Sequence, residues 1–357
     1  MVRPPGLHHL PPARDVPPMQ IDVFRLNNGQ GWDLQLKRFV DPERLVEGRR
    51  PVMMIPGYCM NTFILSYHPG GTSMVSHLVD EGFEVWTANL RGQGDSKRRW
   101  PGVEDHGFKE LALVDLPAVR DKALTESLLS PDAIDLVGCS LGATVIYAYL
   151  GHHPDDHQVG SVISIGGPLR WNQSHPLVRL VLSSPRLAGA LPVRGTRHMA
   201  KLALPVAKRF PKLLQLYLNS EIIDMSAADE LIKTIDDPSR RLTRQIAHWL
   251  KARDLVVDGL NISQALYDVE VPVMCVLANQ DGIVPPQAAL SVLDHIGSRQ
   301  TRVVRVGDQR YPHAHADLFI SHGAKESVFE PMATWLAERY EDAAGGAGTS
   351  CKEAVDA

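Results

Sequence analysis

Residues 134–150, IDLVGCSLGATVIYAYL, constrain the fold more than any other part of the chain. An apolar run of strand length (Ile134, Leu136, Val137) meets Gly138-Cys139-Ser140-Leu141-Gly142, and apolar residues at helical spacing follow at Val145, Ile146, Tyr149 and Leu150. Strand, sharp turn and helix therefore succeed one another without a spacer. A serine in such a turn needs glycine on both sides, because neighbouring backbone must pass where a Cβ would stand. The start of the helix offers unpaired N–H groups and the positive end of a dipole, an environment suited to an oxyanion. The chemistry to expect is attack by Ser140 on an acyl carbon.

The remaining chain alternates strand and helix patterns around this stretch. Ile21-Asp22-Val23-Phe24 and residues 34–39 flank Asn27-Asn28-Gly29 as a hairpin. Residues 51–57 form a continuous apolar run ending at Gly57, as a buried parallel strand feeding a functional loop does. A helix over 73–81, a strand over 83–90, a long helix over 110–129 and a strand over 161–168 follow. The pattern resumes with strands over 271–278 and 301–306 and a closing helix over 326–340. Alternation of this kind predicts an α/β fold, a mostly parallel sheet flanked by helices. Between 169 and 266 helical patterns broken by prolines replace the strand patterns, over a length no crossover needs, which predicts an inserted helical cap. The expected organisation is a flexible Pro-rich arm over 1–18, a core over 19–168 and 267–342, the cap or lid over 169–266 and a disordered tail over 343–357.

Composition narrows the chemistry. The 357 residues carry a formal net charge of −4 without a long single-sign run, which argues against nucleic acid as a partner. Cys59, Cys139, Cys275 and Cys351 are scattered, with no C-x-x-C spacing, and read as reduced thiols. The first residues lack the apolar core of a secretory signal and no run reaches bilayer length, so the cytoplasm is the expected location. Gly92 and Gly94 do not make a dinucleotide site, since the third glycine and the following helix are missing, and no cofactor is expected. His313 and His315 are two ligands on one extended loop with no carboxylate partner at ligand spacing, so no metal is expected either.

A serine hydroxyl needs a base at neutral pH, and histidine has the right pKa. In this topology the base comes from the loop after the last strand, residues 311–319, where His313 and His315 are both candidates. The carboxylate that fixes the imidazole tautomer is best supplied by Asp281, which directly follows a strand and precedes a turn and prolines. Asp294 lies in a helical stretch and Asp308 follows the wrong strand.

The elbow, the loop after residues 51–57 and these two loops together resemble the α/β-hydrolase family. Members show a histidine two residues before an aspartate followed by Leu-Phe, as in His315-Ala316-Asp317-Leu318-Phe319, so the resemblance implies His315 as the base. It implies Asp281 as the acid as well, since members carry Asp with a downstream Val-Pro, here Val284-Pro285, and the chain order Ser140, Asp281, His315 is the family's. The oxyanion donors it implies are the backbone N–H groups of Tyr58 and Leu141, although this chain has Pro56-Gly57 where members often have His-Gly. Arg91-Gly92-Gln93-Gly94-Asp95-Ser96 matches a loop that is structural in the family.

The implied function is that of a serine esterase or lipase acting on a small-molecule ester with an acyl chain. Residues 70–89 and the capped layout also resemble polyhydroxyalkanoate synthases, which transfer acyl groups. Those have cysteine as the nucleophile, whereas this chain has Ser140 after Cys139, which favours hydrolysis. A non-catalytic ligand-binding member is the alternative from another class, against which the complete Ser, His and Asp set speaks. Between 169 and 220 the chain holds Arg170, Arg179, Arg186, Arg194, Arg197, Lys201, Lys208, Arg209 and Lys212 and no acid. There Met199, Leu202, Val206, Phe210, Leu213 and Tyr217 share one helical side, with Arg197, Lys201, Lys208 and Lys212 on the other. Two readings follow: a cap with its apolar side over the site, or a lid that makes peripheral contact with an anionic membrane or lipid surface.

Overall fold

The computed structural model describes residues 19–103, 105–176, 194–207, 209 and 214–344; the expected arm, and the expected tail beyond Ala344, lie outside the described residues. Among these residues nine strands form one sheet. They are β1 (Gln20–Asn27), β2 (Trp32–Val40), β3 (Val52–Ile55), β4 (Val85–Asn89), β5 (Lys97–Arg98), β6 (Ile134–Cys139), β7 (Val159–Ile165), β10 (Val273–Ala278) and β11 (Thr301–Val306). A separate hairpin joins β8 (Val256–Val257) to β9 (Leu260–Asn261). The order across the sheet is β1-β2-β4-β3-β6-β7-β10-β11, with β5 on β2. Every pairing from β4 to β11 is parallel, while β1, β2 and β5 pair antiparallel.

The parallel strands read as continuous apolar runs because both faces are covered. Met53 and Ile55 of β3 pack on one face with Ala143 and Ile146 of the elbow helix Leu141–His152. Val52 and Met54, one residue out of phase, pack on the other face with Val75 and Leu78 of helix Met74–Asp80 and with Met332 and Leu336 of the closing helix. That closing helix, Glu330–Ala344, follows a wider turn at Lys325–Phe329 and runs through Ala343 and Ala344, where a disordered tail was expected to begin.

The long helix expected over 110–129 is divided. Phe108–Glu110 leads into a wide turn, Leu111–Asp115, and the regular helix is Leu116–Glu126 with Pro117 in its first turn, where no N–H is needed. The wide turn brings Asp115 to a fully buried position. There its carboxylate accepts from Arg91 N and Nε, both at 2.9 Å, and from Arg91 Nη2 and Asn28 Nδ2, both at 2.7 Å. A buried carboxylate is tolerable only with this many partners.

Between β7 and β10 the chain carries the helices Thr196–Ala207 and Arg240–Ala252, several shorter turns and the β8/β9 hairpin. The hairpin is a departure from the strand-free reading of this stretch. Its turn is Asp258-Gly259, both at positive φ (48° and 84°), the sequence type that favours a tight hairpin. The acid-free stretch is answered by acids downstream: Arg197 pairs with Asp236 at 3.0 Å and Arg170 with Asp254 at 3.6 Å. Asp237 accepts from Gly195 N and Thr196 N at the start of helix Thr196–Ala207. Met199 and Leu202 of that helix are 48% and 65% exposed, so at these positions the apolar side does not face the core. Arg179, Arg186, Lys208, Phe210, Lys212 and Leu213 lie outside the described residues. No helix among the described residues is long and apolar enough to cross a membrane.

Replacing Asp115 by Ala strands the Arg91 guanidinium in the core. We expect a loss of about 3–5 kcal/mol of stability, read as a lowered urea midpoint with unchanged slope.

Candidate active site

Ser140 sits between β6 and the elbow helix with φ 52° and ψ −120°, a conformation costly for any residue with a Cβ. It is held by Ser140 N donating to Ile165 O at 2.8 Å and Ala143 N donating to Ser140 O at 3.0 Å. The flanking glycines are required by space. A Cβ on Gly138 would lie 2.4 Å from the Ala143 backbone, one on Gly142 would lie 2.3 Å from Ile55 O, and one on Gly57 would meet Ser140 Cβ at 3.0 Å.

Asp281 and His315 emerge from the loops after β10 and β11 and are both buried. His315 Nδ1 lies 2.5 Å from Asp281 Oδ2. The other carboxylate oxygen, Asp281 Oδ1, accepts from Ile283 N at 2.8 Å and Val284 N at 2.7 Å, which fixes the carboxylate plane. His315 Nε2 is buried without a hydrogen-bond partner. An imidazole with one nitrogen on a fixed carboxylate and the other free is arranged to take up a proton. His313 stands apart: its Nδ1 contacts Tyr311 O and its backbone N donates to Asn279 Oδ1, both at 2.9 Å. No three His, Cys, Asp or Glu side chains among the described residues converge as a metal site would require.

Gly166 and Gly167, at the end of β7, lie between the serine and the His–Asp pair. A Cβ on Gly166 would be 3.0 Å from His315 Cε1 and 3.6 Å from Asp281 Oδ2, and one on Gly167 would be 3.2 Å from Ser140 O.

Tyr58 and Leu141 line, with Gln93, His106 and Leu242, a cavity of about 30 Å³, enough to hold a water. Burial holds the His106 imidazole neutral, down to about 4, and pushes the Cys59 thiol up to about 12. Among the described residues neither the Tyr58 nor the Leu141 amide N–H donates to a protein acceptor. The turn that carries Tyr58 is tied down from two directions. Gln93 Nε2 donates to Gly57 O at 3.1 Å, and Leu90 N donates to Gln93 Oε1 at 2.9 Å. From the inserted stretch, Asp236 N donates to Cys59 O and Asn61 N to Thr234 O, both at 3.0 Å, and Thr243 Oγ1 contacts the Tyr58 hydroxyl at 2.5 Å.

A second part of the insertion, residues 216–222, crosses the acid and histidine loops. Gly282 N donates to Leu216 O at 3.1 Å, Ala316 N to Tyr217 O at 2.7 Å, and Asn219 Nδ2 to Pro312 O at 2.9 Å. None of these ties carries a local sequence signal, because each joins residues far apart in the chain.

The family model for the alpha/beta hydrolase fold matches residues 50–313, and the chain belongs to the α/β-hydrolase family. Among solved structures it is similar to an esterase of Exiguobacterium antarcticum, at 15% identity and a TM-score of 0.60, over 88% of this chain and 98% of that one. A thermophilic esterase of Thermogutta terrifontis gives 17% identity and a TM-score of 0.58, over 89% and 99%. At these identities the likeness is one of fold. A curated relative, the poly(3-hydroxyalkanoate) polymerase subunit PhaC of Haloferax mediterranei, is 22% identical over 314 residues, 82% of this chain. The chain spans 59% of that relative's length.

Gly166→Ala places a methyl group against the imidazole at a φ of 57° that disfavours it. We expect labelling of Ser140 by a fluorophosphonate to slow by about 10-fold or more, with the far-UV spectrum unchanged, as measured by stopped-time mass spectrometry.

Proposed function

We propose that the chain is a serine hydrolase that cleaves carboxylic esters through an acyl-enzyme on Ser140, with His315 as base and Asp281 as its orienting acid. The observation that carries this reading is the buried His315–Asp281 contact of 2.5 Å with His315 Nε2 left free. Ser140 Oγ attacks the acyl carbon as its proton passes to His315 Nε2, and the oxyanion is received by the Tyr58 and Leu141 N–H groups. Collapse breaks the ester bond, and the departing alkoxide takes the proton from the imidazolium. Water then repeats the sequence and releases the acid. Asp281 holds the proton-bearing Nδ1 throughout, so Nε2 stays the acceptor.

Acyl transfer, suggested by the polymerase relative, is the competing reading. Cys139 does not supply the thiol of such an enzyme, because it is fully buried and burial raises its pKa. A non-enzymatic receptor would have no use for the fixed carboxylate behind His315.

Ser140→Ala and His315→Ala are expected to lower hydrolysis of p-nitrophenyl esters by about 10⁴-fold or more. His313→Ala should leave the rate within a few-fold of wild type. Retention of activity by purified Ser140→Ala would refute the assignment, and a reversed ranking of the two histidines would move the base to His313.

We also propose that the exposed Met199 and Leu202 give helix Thr196–Ala207 a lipid-facing side. Leu202→Glu should depress activity on an emulsified long-chain ester or on one in anionic vesicles and spare a soluble short-chain ester. Equal effects on both substrates would remove this role.

A further inference from the structure

Asp317 stands two residues beyond His315 and takes no part in the contacts described so far for the His–Asp pair. It opens the short helical turn Asp317–Ile320 and is fully buried. A carboxylate in this position ordinarily has a cationic partner, yet among the described residues no lysine or arginine is paired with it. Its partners are backbone amides. Ala314 N donates to Oδ2 at 2.7 Å, and Asn219 N is shared between Oδ1 at 3.0 Å and Oδ2 at 3.1 Å. Ala314 lies between the two histidines of the loop, and Asn219 belongs to the crossing stretch 216–222.

We propose that Asp317 is a positioning residue for His315: in its ionised form the buried carboxylate joins the crossing stretch to the histidine loop and so holds the imidazole in register with Asp281. The inference rests on the reading of Ser140, His315 and Asp281 as the catalytic set.

The physical argument is one of acceptors. An ionised carboxylate offers lone pairs on both oxygens and can receive both N–H groups at once. Protonation of Oδ1 takes away one of the two oxygens that the Asn219 N–H shares and leaves both N–H groups on Oδ2, so the tie to the crossing stretch weakens. The titratable groups facing Asp317 are Asp281 from the acid loop, His315 from its own loop and Tyr217 from the crossing stretch. Helix Phe63–Ser66 and strand β10, also packed against it, bring no charged side chain. Burial, with a smaller push from the Asp281 charge, raises the Asp317 carboxyl to about 7, while the Ala314 and Asn219 N–H bonds and His315 pull it down. The tie is therefore intact above about pH 7 and weakens as pH falls through it. Stability has the opposite sign. A folded value of about 7 against an ordinary 3.8 means the folded chain holds this proton more tightly, so the stability it confers is full below about pH 4 and is lost as pH rises to 7. Keeping the carboxylate ionised costs stability, which points to a purpose in the site rather than in the fold.

The test is the pH dependence of kcat/KM for wild type and Asp317→Asn on a soluble p-nitrophenyl ester. Wild type should lose activity toward acid with a slope approaching two on logarithmic axes, one proton for the base and one for Asp317. Asp317→Asn should show a slope of one, a kcat at pH 8 lower by about 10- to 100-fold and little change in KM. A wild-type slope of one, or a wild-type kcat in the variant, overturns the inference. Should the variant fail to fold, the wild-type slope alone decides. Failure of the catalytic reading is recognised separately, as activity that survives Ser140→Ala.

Discussion

The strained backbone at Ser140 is the constraint on which the rest of the architecture depends. A φ of 52° at a residue with a side chain costs about 1–3 kcal/mol and persists only where the surroundings leave no alternative. Here the strand before it and the helix after it are buried almost end to end, so neither can rotate to relieve the turn. Gly57, Gly138, Gly142 and Gly167 are the places where neighbours close on that turn, backbone at Gly138 and Gly142 and side chains at Gly57 and Gly167, each too near for a Cβ without a shift. The serine stays half-buried at the turn because everything around it is packed too closely to let it turn inward.

From there a chain of contacts runs outward. The Arg91–Asp115 pair anchors the loop after β4; Gln93 of that loop holds Gly57 O; and Gly57 precedes the Tyr58 amide beside the serine. The ion pair, one loop removed from Ser140, still bears on where the Tyr58 amide stands. Its strength comes from the number of bonds it makes, since burying two charges gains little unless their remaining donors and acceptors are also occupied.

Much of this could be read in the residues. The parallel strands announced themselves because strands covered on both faces must be apolar at every position. The Ser140 turn followed from glycines that could have no other use beside a buried strand. His315 and Asp281, chosen from their place after strands and from the family resemblance, are the pair found at 2.5 Å. The break before Leu116 was hidden because the wide turn answers to Arg91, distant in sequence. The nearness of Gly166 to the imidazole depends on two loops folding back over it, which no local pattern announces. The β8/β9 hairpin is signalled by Asp258-Gly259, but strands of only two residues are too short to show an alternation. Thr243, Asp236 and Asn219 gave no sign, since a hydrogen bond between distant residues leaves no periodicity behind.

The stretch between β7 and β10 is tied to three of the loops around Ser140. Residues 234–236 run beside the turn of Tyr58, with Ile235 bridged to Met60, while 216–222 lie across the loops of Asp281 and His315. Such an insertion is not a detachable module. Replacing residues 216–252 by an unrelated segment would remove ties from three loops at once. Recombination that spares the site must place its junctions on the N-terminal side of Leu216, leaving the rest of the insertion to evolve in step with the core.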